Sequence, residues 1–152
     1  MGMLPDDCQR VDWIPVNCCA ACIVDIAVDT STRSAPTCER VHHILNPHVI
    51  TWSQLIENLK VAGLHFAVVP IKDWLAVLLS NPKNPAYVLG GFFHKIFSDG
   101  KNFELAKYLT EKTAQRTPAL ELCPIINQDL LRRYLDYWSE IGFLKQGYSR
   151  ST

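Results

Sequence analysis

The sequence predicts an α/β fold in which short strands and helices alternate to about residue 80 and helices follow. Two segments carry most of this prediction: residues 12–16 run into a helix rich in small residues, and residues 40–45 run into a helix that begins near Thr51. A short apolar strand that leads through a turn into an amphipathic helix is the repeating unit of an open α/β sheet. No glycine-rich phosphate loop precedes either unit. The sequence therefore predicts the second half of a larger α/β domain whose first half is absent.

Composition indicates a folded domain and argues against two classes of partner. The 152 residues are 48% hydrophobic and 20% charged, which is enough apolar content for one core. The 15 Lys and Arg residues balance the 15 Asp and Glu residues, so the chain lacks the basic surface of a nucleic-acid-binding protein. No signal peptide is recognisable and no apolar stretch reaches the length of a bilayer span. We expect a soluble, cytoplasmic protein with neither nucleic acid nor membrane as its partner.

The first strand and helix units are predicted from local signals. Residues 12–16 form a strand, Asn17 caps the next helix, and that helix runs to about residue 29. Residues 40–45 form a second strand, which Pro47 ends because proline has no amide donor.

The middle of the chain gives the clearest helix signals. Thr51 and Gln54 have the spacing of a capping box, and the helix that follows ends at Gly63, which supplies a left-handed stop. Residues 65–69 then form a short strand, and residues 72–79 form a helix.

The remainder is predicted to be helical. Asn84 and Pro85 open a helix to about residue 97, in which Gly90-Gly91 allows close helix packing or a kink. Residues 102–115 form another helix. Asn127 caps the last helix, in which Asp129 can pair with Arg133. Its predicted apolar face consists of Leu131, Tyr134, Trp138 and Ile141.

These elements form one partial domain. Residues 1–80 are the strand and helix region, residues 81–146 are a helical region, and residues 147–152 are a frayed tail.

Six cysteines raise the question of a metal site. Cys19 and Cys22 have the spacing of a zinc ligand pair, and Cys38 with His42 forms a second pair. A helix over residues 17–29 explains the first pair equally well, because its turns place cysteines in a patch of small residues that suits close packing. We therefore expect reduced structural thiols and no metal.

Ordered motifs along the chain resemble one enzyme family, the thioester reductase branch of the extended short-chain dehydrogenases. These reductase domains end fungal assembly-line synthetases of the nonribosomal-peptide and polyketide types and aminoadipate-type reductases. The resemblance covers about residues 4–144 and implies the C-terminal fragment of an extended short-chain dehydrogenase fold. Its motifs are Val11-Asp12-Trp13-Ile14-Pro15-Val16-Asn17, His43-Ile44-Leu45-Asn46-Pro47 with Trp52 and Leu55, Val69-Pro70 with Trp74-Leu75, and Leu135-Asp136-Tyr137-Trp138 with Gly142-Phe143-Leu144.

The resemblance implies the NADPH-dependent reduction of a carrier-bound acyl thioester to an aldehyde or an alcohol, in secondary metabolism. It implies an acyl carrier protein or a pantetheine-linked acyl substrate as partner, and a Rossmann half that holds NADPH. This chain lacks the glycine-rich turn for the cofactor. Tyr108 and Lys112 have the spacing of a catalytic pair but lie beyond the family's position for it. We therefore assign no catalytic, cofactor-binding or metal-binding residue, and expect the chain to be inactive alone.

Aromatic side chains are the remaining candidates for substrate binding. Of the aromatic residues in the region that closes over the acyl chain in this family, Tyr87 and Tyr108 are the predicted substrate-binding residues, because their hydroxyl groups need a polar partner. We expect Trp74 and Phe93 to be core residues.

Three alternatives stay open at this point. The chain could form an active enzyme with a separate cofactor-binding half, act as a non-catalytic module that binds an acyl carrier or assembly-line partner, or be a gene fragment without a role of its own.

Overall fold

A computed structural model describes residues 2–8, 10–29, 41–98, 108–144 and 147–148. In chain order the elements are β1 Met3–Pro5, α1 Val16–Val28, α2 Trp52–Val61, β2 Ala67–Val69, α3 Ile71–Leu79, a 3-10 helix Pro85–Leu89, α4 Gly90–Ser98, α5 Glu111–Ala114, α6 Pro118–Glu121 and α7 Gln128–Glu140. No helix in this described part of the chain has the length and apolar character that a bilayer crossing requires.

The sheet of the described chain is one parallel pair. Strand β1 lies beside β2 with Leu4 opposite Val68, and the chain between them contains α1 and α2. The amide of Asp6 extends the ladder by donating to the Val69 carbonyl at 2.8 Å. The Trp52 indole donates to the Pro5 carbonyl at 2.9 Å, which ties α2 to the end of β1. The sequence-based prediction missed β1. It placed the start of β2 at residue 65, two residues too early.

The predicted strand at residues 12–16 is wrong. Only Val11 pairs here, in an isolated antiparallel bridge to Ile50 with N–O distances of 2.9 and 3.1 Å. Pro15, not Asn17, is the N-cap of α1, and its carbonyl accepts the Cys19 amide at 3.0 Å. Proline has a fixed φ and no amide to donate, so strand pairing stops at Pro15 and the N-cap lies two residues earlier than predicted. The predicted end of this helix near residue 29 is confirmed.

The predicted strand at residues 40–45 is also wrong over residues 41–45, which have no strand pairing. Residue 40 lies outside the described residues. The segment is fixed at its end by Asn46, whose backbone amide donates to the Asp12 carbonyl at 3.0 Å. A strand needs a neighbouring backbone to pair with, and an apolar run alone does not supply one.

Helix α2 confirms the prediction made from capping signals, and α3 confirms the helix predicted over residues 72–79. The Thr51 hydroxyl accepts the Gln54 amide at 3.2 Å, and the Gln54 side chain accepts the Thr51 amide at 2.8 Å. Gly63 has a φ of 100°, as a left-handed stop requires. These signals act within one helical turn, which is why they can be predicted from sequence.

The predicted helix over residues 84–97 has two parts. Asn84 caps the 3-10 helix by accepting the Ala86 amide at 2.9 Å, and α4 begins at Gly90. A Cβ atom on Gly90 would lie 2.5 Å from Leu79 Cδ2 of α3, so the glycine permits the close approach of α4 to α3. The close-packing role predicted for Gly90-Gly91 is therefore confirmed at Gly90.

The helix predicted over residues 102–115 is confirmed only for the single turn of α5, Glu111–Ala114. Residues 102–107 lie outside the described residues, and residues 108–110 are not helical. The single turn of α5 is followed by α6, which begins at Pro118. Proline disfavours a helical conformation of the preceding residue, and Thr117 is accordingly extended at φ −139° and ψ 106°.

Helix α7 is confirmed, including its Asn127 cap, which accepts the Leu130 amide at 3.0 Å. The predicted partner of Asp129 is wrong: its carboxylate lies 3.7 Å from the Arg132 guanidinium, while Arg133 donates to its backbone carbonyl. The predicted apolar face is also only partly buried. The buried residues are Leu130, Leu131 and Leu135, whereas Trp138 and Ile141 are exposed.

The main core lies between α2, α7 and the Val11–Ile50 bridge. Residues 123–127, which have no regular structure, border this core, and side-chain amides satisfy two of their carbonyls. Asn46 Nδ2 donates to the Pro124 carbonyl at 3.0 Å, and Asn58 Nδ2 donates to the Ile126 carbonyl at 3.1 Å. Asn46 is 1% exposed, so its hydrogen bonds are made away from water.

Replacing Asn46 should destabilise the fold more than replacing an exposed asparagine. Asn46→Ala removes the bond to Pro124 and the bond that Asn46 Oδ1 accepts from the His48 amide at 2.9 Å. We expect a loss of about 2 kcal/mol in the free energy of unfolding, measured by urea denaturation. Asn81→Ala is the matched control, because Asn81 is exposed and accepts one bond from the Lys83 amide. Equal losses in the two variants would contradict the structural role of Asn46.

Candidate functional site

An apolar groove with a volume of about 450 Å³ lies between the start of α1 and one face of α7. One wall is the segment of residues 13–16, and Ile126 lies between the walls. The other wall consists of Leu130, Leu131, Tyr134, Tyr137 and Trp138. The volume is within the range of small-molecule sites in proteins.

Three local features position the walls of this groove. Buried Pro15 fixes the direction in which the chain enters α1. The Asn58 side chain holds the backbone at Ile126, and Asn127 starts α7 immediately afterwards. The backbone amide of Asn46 donates to the Asp12 carbonyl and so connects the first wall to the rest of the fold.

The groove is suited to binding an apolar or aromatic group. Tyr134 stacks on Trp138 with ring centroids 6.0 Å apart, and Trp13 is 55% exposed at the opposite wall. Burial raises the pKa of the Tyr134 phenol, so the phenol stays protonated at neutral pH and can donate a hydrogen bond. Within the described residues, no Asp, Glu, Lys, Arg or His side chain lines the groove. The groove therefore has the character of a binding site and lacks an acid–base pair.

The two predicted substrate-binding residues lie outside this groove. Tyr87 is in the 3-10 helix and 39% exposed. Tyr108 precedes α5, is 49% exposed, and its ring lies 4.6 Å from the His43 ring. Because residues 108–110 are not helical, Tyr108 and Lys112 do not share a helix face. Their roles in substrate binding stay predictions.

The other aromatic candidates form a cluster where α3 meets α4. Trp74 lies edge-on to Phe93 with centroids 5.3 Å apart, and Phe93 stacks on Phe97 at 6.1 Å. Trp74 and Phe93 are half-buried, which fits their expected packing role, while Phe92 is 59% exposed. The cluster reinforces the contact between the two helices that Gly90 permits.

Buried polar groups link α1 to the turn between α5 and α6. The Thr117 hydroxyl, which is fully buried, donates to the Asp25 carboxylate at 2.6 Å, and Arg116 lies 3.4 Å from the Asp29 carboxylate. Burial raises the pKa of the Cys22 thiol, and its hydrogen bond with Thr117 opposes this shift. Cys22 is thus a packed structural thiol.

Cys38, one of the four candidate zinc ligands, lies outside the described residues. In the ranges that are described, no group of three or more His, Cys, Asp or Glu side chains is arranged to hold a metal ion. The absence of a zinc site stays a prediction.

A second cavity, with a volume of about 600 Å³, lies beside β1. It is bordered by Gly2, Met3 and Leu4 on one side and by Leu64, His65 and Phe66 on another, with Leu144 and Gly147 completing it. Lys60 lies 5.9 Å from the Phe66 ring centroid.

The groove residues were not identified as a site from the sequence. Tyr134, Tyr137 and Trp138 are spaced by three and four residues, which is a recognisable signal for aromatic side chains that share one helical face. This face overlaps the buried face of α7, since Leu130 and Leu131 also line the groove. Trp13 and Ile126 gave no such signal, because only the tertiary fold brings them to α7.

Known proteins similar to this chain include fungal multidomain enzymes. Non-reducing polyketide synthase azaA of Aspergillus niger is 26% identical over 157 residues, which cover 95% of this chain. The 3-methylorcinaldehyde synthase tropA of Talaromyces stipitatus is 30% identical over 152 residues and 93% of this chain. Adenylate-forming reductase Nps10 of Heterobasidion annosum is 26% identical over 163 residues and 92% of this chain. The matched regions are 6%, 5% and 14% of these proteins, respectively. No protein-family profile matches the chain.

Two solved structures share the fold. The terminal R domain from the myxalamid PKS-NRPS biosynthetic pathway has a TM-score of 0.70 at 20% identity, over 95% of this chain and 37% of that one. A thiolation-reductase di-domain from an archaeal non-ribosomal peptide synthetase has a TM-score of 0.59 at 21% identity, over 93% of this chain and 29% of that one.

Protonation of His42 should destabilise the protein at low pH. Burial, Lys112 and Arg116 lower the pKa of the His42 imidazole, and Asp29 opposes them. Its buried Nδ1 has no hydrogen-bond partner among the described residues. Because the folded state favours neutral His42, its contribution to stability is complete above the ordinary pKa of about 6.5 and is lost as the pH falls through the folded pKa.

The test compares melting temperatures at pH of about 7.5 and about 5. The decrease in melting temperature from the higher to the lower pH should be smaller in His42→Gln than in the wild type. His48→Gln, at an exposed position, is the control and should show the wild-type decrease. An unchanged decrease in His42→Gln would exclude this contribution.

Proposed function

We propose that this chain, which matches the C-terminal part of a thioester reductase domain in sequence and fold, supplies the substrate-binding portion of an NADPH-dependent reductase. The reaction proposed for the complete domain is reduction of a carrier-bound acyl thioester to an aldehyde or an alcohol. The homology supports the thioester reductase role in general. The dependence on NADPH, the inactivity of the chain alone and the carrier partner are proposals.

The observation that carries the proposal is the apolar groove. Its volume of about 450 Å³ and its aromatic walls suit an acyl group, and the absence of charged lining residues suits binding without catalysis. Hydride transfer to a thioester needs a cofactor site and groups that stabilise the developing oxyanion. We propose that both are supplied from outside this chain.

The exposed face of α1 supports a cofactor-binding half as a partner. Val16, Ile23, Val24 and Val28 are 83%, 54%, 59% and 68% exposed, although all four are apolar. A helix of an α/β domain normally buries such a face against another layer. We propose that a Rossmann half covers α1.

The division of the chain at residue 80 also becomes part of this proposal. Residues 1–80 would continue the Rossmann half, residues 81–146 would form the helical substrate-binding region, and residues 147–152 would be a tail. The groove joins the two regions, because its walls come from residues 13–16 and from α7. Tyr87 and Tyr108 remain proposed substrate contacts of the helical region.

A second candidate function is a non-catalytic module that binds an acyl carrier or an assembly-line partner. The observation that favours it is the same lack of charged groups in the groove. Reconstitution separates the candidates: reductase activity after addition of a cofactor-binding half supports the first function, and carrier binding without activity supports the second.

The groove should bind an aromatic acyl-pantetheine thioester, and Trp13→Ala should weaken this binding. Trp13 is 55% exposed and lines the groove, so its removal takes away an aromatic contact. We expect a loss of about 1 kcal/mol, or roughly a fivefold higher dissociation constant. Calorimetric titration with benzoyl-pantetheine measures it.

Phe92→Ala is the matched control, because Phe92 is 59% exposed and lies outside the groove. Tyr87→Ala and Tyr108→Ala are titrated in parallel. Weakened binding in the two tyrosine variants with unchanged binding in Trp13→Ala would move the site away from the groove and toward the residues predicted from sequence.

The isolated chain should not bind NADPH. The glycine-rich turn that cradles a dinucleotide pyrophosphate at a helix N-terminus is absent from the sequence. A calorimetric titration with NADPH should give no binding heat beyond dilution. A dissociation constant in the micromolar range would refute the proposal that cofactor binding lies outside this chain.

A further inference from the structure

We propose that the Tyr134 hydroxyl determines which acyl groups the groove accepts, by donating a hydrogen bond to an oxygen atom on the ring of an aromatic acyl group. The acyl group of a thioester as the occupant of the groove is taken from the proposed function, on which this inference rests. Three observations carry it: the place of Tyr134 in the groove wall, the lack of a partner for its hydroxyl within the described part of the fold, and the greater exposure of the neighbouring polar aromatic side chains.

Tyr134 lies between the buried and the exposed parts of the groove wall. Leu130 and Leu131 are each 7% exposed, whereas Tyr137 and Trp138 are 59% and 40% exposed. The Tyr134 side chain is half-buried and packs against the main core. Its ring also stacks on the Trp138 ring, with an angle of 23° between the two planes. A ligand in the groove therefore meets a phenol ring whose orientation is restricted by contacts with the core and with Trp138.

The Tyr134 hydroxyl has no hydrogen-bond partner among the described residues. A second half-buried phenol, that of Tyr148, donates to the Asp136 carboxylate at 2.7 Å, as is usual for a tyrosine away from water. The Tyr134 oxygen is not among the fully enclosed polar atoms, so a ligand can reach it. Burial raises the pKa of this phenol, which keeps the proton in place for donation. An oxygen acceptor on a bound ligand thus supplies the partner.

Exposure distinguishes Tyr134 from other polar side chains of the groove. Trp13 and Tyr137 are 55% and 59% exposed, so water can satisfy the indole N–H and the phenol O–H. A ligand that covers the half-buried Tyr134 hydroxyl removes it from water. The hydroxyl is then left unpaired, at a cost in free energy, unless the ligand accepts its hydrogen bond.

The lining favours a neutral oxygen on an aromatic ring. No charged side chain of the described residues lines the groove, so a carboxylate on the ligand would lose its hydration without gaining a counter-charge. The indole rings of Trp13 and Trp138 offer aromatic surface to a ligand ring. A phenolic hydroxyl or an ether oxygen on that ring accepts a hydrogen bond and is uncharged at neutral pH. A site that pairs with such an oxygen discriminates against an analogue that lacks it.

The test compares two thioesters of the same shape, para-hydroxybenzoyl-pantetheine and para-methylbenzoyl-pantetheine, in calorimetric titrations of the folded chain. The meta-substituted pair is titrated in parallel, and the pair with the larger preference is used. The dissociation constant of the methyl ligand divided by that of the hydroxyl ligand measures the preference for oxygen. We expect Tyr134→Phe to lower this preference about fivefold, because one neutral hydrogen bond is lost. The methoxybenzoyl thioester, whose ether oxygen can only accept, should lose affinity in the same variant.

Tyr137→Phe is the matched control. It removes the same atom from the same helix and the same groove, but the Tyr137 hydroxyl is exposed, so the preference for oxygen should not change. Tyr134→Phe should melt at the wild-type temperature, because its hydroxyl makes no hydrogen bond within the described part of the fold.

The outcomes separate this inference from the proposed function. If the thioesters bind with the same preference for oxygen in the wild type and in Tyr134→Phe, the inference is wrong and the acyl-binding groove stands. An equal loss of preference in Tyr137→Phe, or a lower melting temperature of Tyr134→Phe, also contradicts a recognition role of the Tyr134 hydroxyl. If no thioester binds to the wild type, both the inference and the proposed function of the groove are overturned.

Discussion

The structure depends on how residues 123–127 are held in place without a helix or a strand. The buried carbonyls of this partly buried segment need hydrogen-bond partners, because an unsatisfied buried carbonyl costs about as much as a lost hydrogen bond. Asn46 and Asn58 supply these partners from two distant parts of the chain, at the Pro124 and Ile126 carbonyls. The segment then presents Ile126 to the groove, and Asn127 at its end starts α7.

Asn46 also connects the two walls of the groove. Its backbone amide donates to the Asp12 carbonyl at the start of the first wall, while its side chain donates to the segment that leads into α7. One buried residue therefore fixes the separation of surfaces that lie more than a hundred residues apart in sequence. An asparagine can do this because its side-chain amide donates to one segment while its backbone amide donates to the other.

The comparison with the sequence-based predictions separates local from distant causes. The capping box of Thr51, the stop at Gly63 and the cap at Asn127 were predicted correctly, since each acts within one turn of its own helix. The strands at residues 12–16 and 40–45 were predicted wrongly, because a strand exists only where another backbone pairs with it. The α/β class and the resemblance to reductase domains are confirmed by the relatives and by the solved structures.

The groove was beyond sequence reasoning for the same physical reason. Trp13, Ile126 and Trp138 belong to three separate segments, and their proximity follows from the hydrogen bonds of Asn46 and Asn58 rather than from any spacing along the chain. Tyr87 and Tyr108 were chosen because a phenol needs a polar partner, but exposed phenols satisfy this need with water. The need of a phenol for a polar partner therefore indicates a binding role only where the side chain is buried.

The distribution of polar groups explains why binding and catalysis are assigned to different parts of the proposed enzyme. Asp25, Asp29 and Arg116 are engaged in packing α1 against the turn between α5 and α6. The groove has aromatic and aliphatic walls, and the exposed face of α1 is apolar as well. A surface of this composition gains free energy by excluding water from an apolar partner, which favours association, whereas bond-breaking needs groups that exchange protons or stabilise charge. The composition of this surface therefore supports the proposal that the chain holds an acyl group and a partner domain, with the reacting groups contributed by that partner.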